Sequence, residues 1–73
     1  SMIDLWRELL DRTAVSLDDN WFELGGHSLL ALRLFARIHQ TFNRRLPLSA
    51  ILEHPSPRQL AEQVDLAART IDA

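Results

Sequence analysis

Residues 28–43 read SLLALRLFARIHQTFN, a stretch with neither glycine nor proline. Projected at about 100° per residue, Leu30, Ala31, Leu34, Phe35, Ile38 and Phe42 fall on one broad face, which marks an amphipathic helix with that face in a core. The opposite face carries Leu29, Leu32, Arg33, Ala36, His39, Gln40 and Asn43. Leu29 and Leu32 near the start of that outward face have no packing explanation in the periodicity.

The rest of the chain falls into place around this helix. Gly25-Gly26, Pro47, and Pro55 with Pro57 punctuate it. Upstream, Met2 to about Thr13 is helical by period, with Ile3, Trp6, Leu9 and Leu10 on the inner face. An Arg7–Asp11 pair is expected across one turn of it. Residues 14–27 show no sustained period. Val15, Leu17, Trp21, Phe22 and Leu24 make this a long connection that packs down on the bundle, with Ser16-Leu17-Asp18-Asp19 capping a short turn. Downstream, Leu48 to Glu53 has length for one or two helical turns. Ser56, Pro57 and Gln59 then read as N-cap, N1 and N3 of a last helix, whose apolar stripe is Leu60, Val64, Ala67 and Ala68. No strand pattern occurs. The fold expected is a small all-α four-helix bundle, three main helices and one short third helix, with a long packed loop between the first two.

Composition narrows the function. The chain has 73 residues, 47% of them hydrophobic, and no cysteine, so disulfides and thiolate metal sites are excluded. A domain this short buries about 60% of the surface its unfolded chain exposes, so its stability rests on packing alone. All eight basic residues are Arg, and with ten acids the net charge is −2, which disfavours a nucleic-acid reader such as a helix-turn-helix. No run of 18 apolar residues could span a membrane, and no signal peptide is visible. Residues 1–73 are read as one domain. Ser1-Met2 resembles a cloning remnant ahead of an internal segment, and residues from about 70 to 73 a frayed tail or linker.

Catalytic patterns fail one by one. Gly26-His27-Ser28-Leu29-Leu30 is half of the G-x-S-x-G elbow of serine hydrolases, but Leu30 replaces the second glycine and no strand precedes the serine. His27, His39 and His54 lie 12 and 15 residues apart, without metal-ligand spacing. What remains is Ser28 behind two glycines at the first turn of the longest helix, where unpaired N–H groups favour an anion such as a phosphate. The plainer alternative is a helical protein-interaction module in which Ser28 is only a helix N-cap.

Residues 19–29, DNWFELGGHSL, resemble the signature of peptidyl carrier proteins, the thiolation domains of nonribosomal peptide synthetases. The resemblance covers nearly the whole chain: Ile3 to Leu10 with its Trp followed by paired leucines, Pro47-Leu48, Ile51-Leu52-Glu53-His54-Pro55-Ser56, and Leu60-Ala61-Glu62-Gln63-Val64. Trp21 stands where the family usually has Phe, Leu52 where Phe is common, and Ser56-Pro57 where Thr and an aliphatic residue are usual. None of these touches the serine. The second helix carries Arg33 and Arg37 and no acid, and His27 precedes Ser28. This separates the chain from fatty-acid-type acyl carriers, which have an acidic second helix and an Asp before the serine.

The resemblance implies a non-catalytic carrier. Ser28, flanked by Gly25, Gly26 and His27, would bear a covalent 4′-phosphopantetheine delivered from coenzyme A by a phosphopantetheinyl transferase. Leu29, Leu32, Arg33 and Ala36, with Arg37 beside them, would form the partner interface for adenylation and condensation domains, with ketosynthase or thioesterase domains as further recipients. No metal, nucleic acid or membrane is implied, and the isolated domain would be a cytoplasmic monomer.

Overall fold

The computed structural model describes residues 1–69, the last two by backbone only. Four helices occur in order: α1, Met2–Leu10; α2, Ser28–Phe42; α3, Ala50–Glu53; α4, Pro57–Arg69. No strand occurs among the described residues. The four-helix, all-α architecture is the one expected, with a tail at about 70–73 lying outside the described residues.

Helix α1 packs against both α2 and α4. It therefore buries a different stripe from the one expected: Met2, Leu5 and Trp6 are the fully buried set. Ile3, Leu9 and Leu10 are only half-buried. The helix is rotated so that positions i, i+3 and i+4 from Met2 face the seam between its two neighbours. Ser1 caps it, its hydroxyl accepting the Asp4 N–H at 3.4 Å. Met2 in the core and Ser1 at the cap are thus structural parts of α1. The helix stops at Leu10, short of Thr13, because Asp11 turns left-handed at φ 52° and donates its N–H to the Arg7 carbonyl. The expected Arg7–Asp11 pair does not form; Arg7 reaches back to Asp4 at 3.5 Å instead.

Helix α2 follows its periodicity closely. Ala31, Leu34 and Ile38 are buried, and Leu30, Phe35 and Phe42 pack half-buried around them. Asn43 ends it in a second left-handed cap, φ 56°. Arg37 pairs with Glu8 of α1 at 2.8 Å, so it belongs to the α1–α2 seam and is not free beside the outward patch as expected. Helix α4 opens on a serine cap, with Ser56 Oγ accepting the Gln59 N–H at 3.2 Å and donating to Gln59 Oε1 at 2.9 Å. Leu60 is buried, and Val64 and Ala67 are half-buried.

The connection between α1 and α2 is held chiefly by hydrogen bonds. Val15 and Trp21 are buried and Leu24 half-buried, while Leu17 and Phe22 stay exposed, so three of the five expected apolar anchors pack. The turn at 16–19 is closed by the Asp19 carboxylate accepting the Ser16 N–H at 2.8 Å; the serine is not the capping group. Trp21 N–H donates to the Pro55 carbonyl at 2.7 Å, and Arg58 N–H to the Leu17 carbonyl at 3.0 Å. Arg12 Nε donates to the Leu24 carbonyl at 3.0 Å, and Arg58 Nε to Asp18 Oδ1 at 2.9 Å. The Arg58 hydrogen bond and charge hold the Asp18 carboxyl below its ordinary value of 3.8.

Candidate functional site

The chain reaches Ser28 through a turn that two unlike glycines make possible. Gly25 has φ +98°, a region that side chains resist. Gly26 is ordinary in φ, but a Cβ there would overlap the indole of Trp21. Trp21 lies wholly buried beneath this turn, edge-on to Trp6 with ring centroids 5.0 Å apart at 81°. Its backbone carbonyl accepts the Gly26 N–H at 2.9 Å, and its indole Nε1–H donates to the His27 carbonyl at 3.3 Å.

His27 is extended, φ −142° and ψ 174°, and it is the N-cap: its Nδ1 accepts the Leu30 N–H at 3.3 Å. Ser28 is therefore the first residue of α2 and not its cap. The reading in which Ser28 serves only as an N-cap is overturned by this, because the imidazole already fills that role. The Ser28 side chain is exposed and has no hydrogen-bond partner among the described residues. With its Nδ1 engaged by Leu30, His27 does not offer that atom as a base to the neighbouring hydroxyl.

Beyond the serine, the outward face of α2 is apolar and open. Leu29 is 69% exposed and Leu32 52%, and Arg33 and Ala36 are exposed beside them. An open depression of about 230 Å³ next to Ser28 is lined by His27, Leu29, Leu30 and Arg33. The structure thus brings four of the expected interface residues onto one face, with Arg37 engaged by Glu8 instead. On α3, Leu52, which stands where Phe is common, is also 68% exposed. From Leu24 to Leu52 the chain has no carboxylate and four Arg. Among the described residues no three His, Asp or Glu side chains gather to hold a metal. His39 lies exposed near the end of α2, and His54 caps the end of α3.

A family profile described as a phosphopantetheine attachment site matches residues 1–64. The chain belongs to that family. The phosphopantetheine-attachment domain is a carrier with no catalytic step of its own, and its cofactor is covalent phosphopantetheine. Surfactin synthase subunit 2 of Bacillus subtilis (strain 168) is 40% identical over 68 residues, which is 93% of this chain and 2% of that protein. The solution structure of an active-site mutant peptidyl carrier protein superposes with a TM-score of 0.90 at 27% identity, covering 97% of this chain and 79% of that one. The structure of the phosphopantetheine transferase Sfp in complex with coenzyme A and a peptidyl carrier protein matches with a TM-score of 0.86 at 29% identity, covering 89% and 84% of the two chains. The first curated relatives are far longer, and this chain spans 1% to 6% of their length.

The residues at the start of α2 fit the attachment domain's cofactor. An exposed, unpartnered hydroxyl sits at the helix end where backbone N–H groups favour the negative phosphodiester that attachment creates. No helix among the described residues is long and apolar enough to cross a membrane.

Proposed function

We propose that Ser28 is the attachment site and that the domain carries an aminoacyl or peptidyl group between catalytic domains in nonribosomal peptide assembly. The observation that carries this reading is the free Ser28 hydroxyl: exposed, without a partner among the described residues, and set at the first position of α2 by the Gly25-Gly26-His27 turn. The similarity to surfactin synthase and to solved peptidyl carriers supports the peptide branch.

Loading needs only what this geometry offers. Ser28 Oγ bonds the phosphorus on the pantetheine side of coenzyme A, the pyrophosphate bond breaks, and adenosine 3′,5′-bisphosphate leaves. The hydroxyl proton passes to a separate phosphopantetheinyl transferase, which supplies the acid–base chemistry and its own Mg²⁺. Once attached, the arm offers a terminal thiol that holds the cargo as a thioester. The chain has no cysteine to compete with that thiol. The protein's own part is position: the hydroxyl stands clear of the surface, and the N-terminal turn of α2 favours the resulting charge.

Leu29, Leu32 and Ala36, with Arg33 at the edge, serve as the docking face for the transferase and for adenylation, condensation, ketosynthase or thioesterase domains. Such contacts are small and transient, since one carrier visits several partners in turn. On this reading residues 1–73 act as one cytoplasmic carrier domain, a segment of a longer synthetase.

Intact mass before and after incubation with coenzyme A, Mg²⁺ and Sfp tests the site. One phosphopantetheine is expected on the natural chain and none on Ser28→Ala, with equal helicity in both; a modified Ser28→Ala chain would refute the assignment. Leu32→Asp is expected to slow transfer of a loaded aminoacyl group to a downstream domain while leaving the circular dichroism spectrum unchanged. Transfer at the unaltered rate would remove the docking face from the proposal.

A further inference from the structure

The two tryptophans of this chain meet edge to face in the core, and both are fully buried, yet their indole N–H groups have different fates. Trp6 Nε1 is buried with no acceptor among the described residues. Trp21 Nε1 donates to the carbonyl of His27, the residue immediately before Ser28. That same carbonyl accepts the Ala31 N–H at 2.9 Å, so the last peptide before the serine is pinned from two sides, by the first turn of α2 and by the core. The face of the Trp21 ring also fills the space where Gly26 would otherwise carry a Cβ. Its backbone holds Gly26 N–H at one end and the Pro55 carbonyl at the other. The Trp21 side chain therefore touches both residues preceding Ser28, and its backbone N–H ties them to the α3–α4 junction.

We propose that Trp21 is a positioning residue for Ser28, its indole N–H and ring face locking the turn that presents the hydroxyl to the transferase. The proposal rests on Ser28 being the attachment site. A phenylalanine at 21 keeps a ring but removes the donor. The His27 carbonyl then keeps only its helical bond, and the Gly25–His27 turn samples arrangements in which the hydroxyl is displaced. Only the fraction of molecules with the turn in place is competent to bind productively. The apparent KM for the carrier therefore rises by the inverse of that fraction, while kcat of the bound complex is unchanged.

A chain of 73 residues is within reach of chemical synthesis, which allows a single-atom test. β-(3-Benzothienyl)alanine has the shape of tryptophan with sulfur in place of N–H. It is placed at 21 in one chain and at 6 in another, and each is compared with the natural chain and with Trp21→Phe. Modification by Sfp with coenzyme A is followed by mass, with amide hydrogen exchange of Gly26 and Ala31 read against that of Leu34. The benzothienyl residue at 21 is expected to raise KM with kcat preserved, the ceiling on the rise being about two- to tenfold, the equilibrium equivalent of one net hydrogen bond. Exchange at Gly26 and Ala31 should quicken relative to Leu34. At 6 the same replacement removes a donor that has no acceptor and should leave KM unchanged. A purely structural role for Trp21 lowers global stability alone, which well below the melting temperature alters neither KM nor the exchange ratio. Equal KM for the natural chain and the 21-substituted chain, or an equal rise from position 6, overturns the proposal. Failure of Sfp to modify the natural chain at all would instead refute the attachment site.

Discussion

The helical core and the connection that delivers Ser28 are ordered by different physical means. The core around Trp6, Leu34, Ile38 and Leu60 is held by apolar burial, which is non-directional and shared among many contacts. The connection places only Val15, Trp21 and Leu24 against that core and depends on individual bonds, such as Trp21 to Pro55, Arg58 to Leu17 and Arg12 to Leu24. A damaged core loses stability by degrees while its surviving molecules stay native in shape. A damaged connection leaves the bundle folded and misplaces the serine.

Three substitutions separate these behaviours. Leu34→Ala should have the largest effect, about 2–5 kcal/mol of stability, read from the urea midpoint. Its folded fraction should be modified with unaltered kcat/KM; a slower reaction of the folded molecules would mean that core and serine are not separable. Gly26→Ala comes next. The added Cβ meets the Trp21 ring, an overpacking expected to cost about 1–3 kcal/mol, and modification of the folded protein should slow as well. Gly25→Ala has open space around the new Cβ but keeps a strained φ, so it is expected to cost about 1–2 kcal/mol through the backbone alone. If the two glycine variants modified at the same rate, the ring contact would not matter to presentation.

The smallest effect concerns Asp18, which is exposed and paired with Arg58. Its folded-state pKa lies below its ordinary value of 3.8, so the native state binds this proton less readily than the unfolded chain. The stabilisation is present above 3.8 and is lost as pH falls through the lower folded value. The urea midpoint of the natural chain should therefore drop slightly more than that of Asp18→Asn between about pH 5 and about pH 2. Parallel curves would mean that the pair holds the connection without contributing to stability.

Much of this was readable from residue order, and what was not has a physical pattern. The span of α2, its core face and the start of α4 at Ser56-Pro57 follow from periodicity and local capping chemistry, which act within a few residues. The free serine behind two glycines was visible for the same reason. Local periodicity misplaces the buried stripe of α1 because the helix packs against two neighbours, α2 and α4, which its own sequence does not contain. The cap is His27 because its extended backbone brings Nδ1 to the Leu30 N–H, where hydroxyl propensity favours the serine. Arg37 is not free beside the outward patch because Glu8, far away in sequence, lies opposite it. The role of Trp21 was marked only by its departure from Phe; the indole nitrogen is the one atom that distinguishes them at the His27 carbonyl.

Both glycines of the chain stand just ahead of His27-Ser28, the place where a sequence alone would put a hinge. Elsewhere the left-handed turns are taken by Asp11 and Asn43, without glycine. Yet Gly26 is bonded to Trp21 and pressed against its ring, so the freedom latent in that residue is already used up. On the proposed attachment, Ser28 is then an anchor held against the body of the domain. With the arm attached there, the distance a cargo travels is set by the length of that arm, since the loop itself adds no reach.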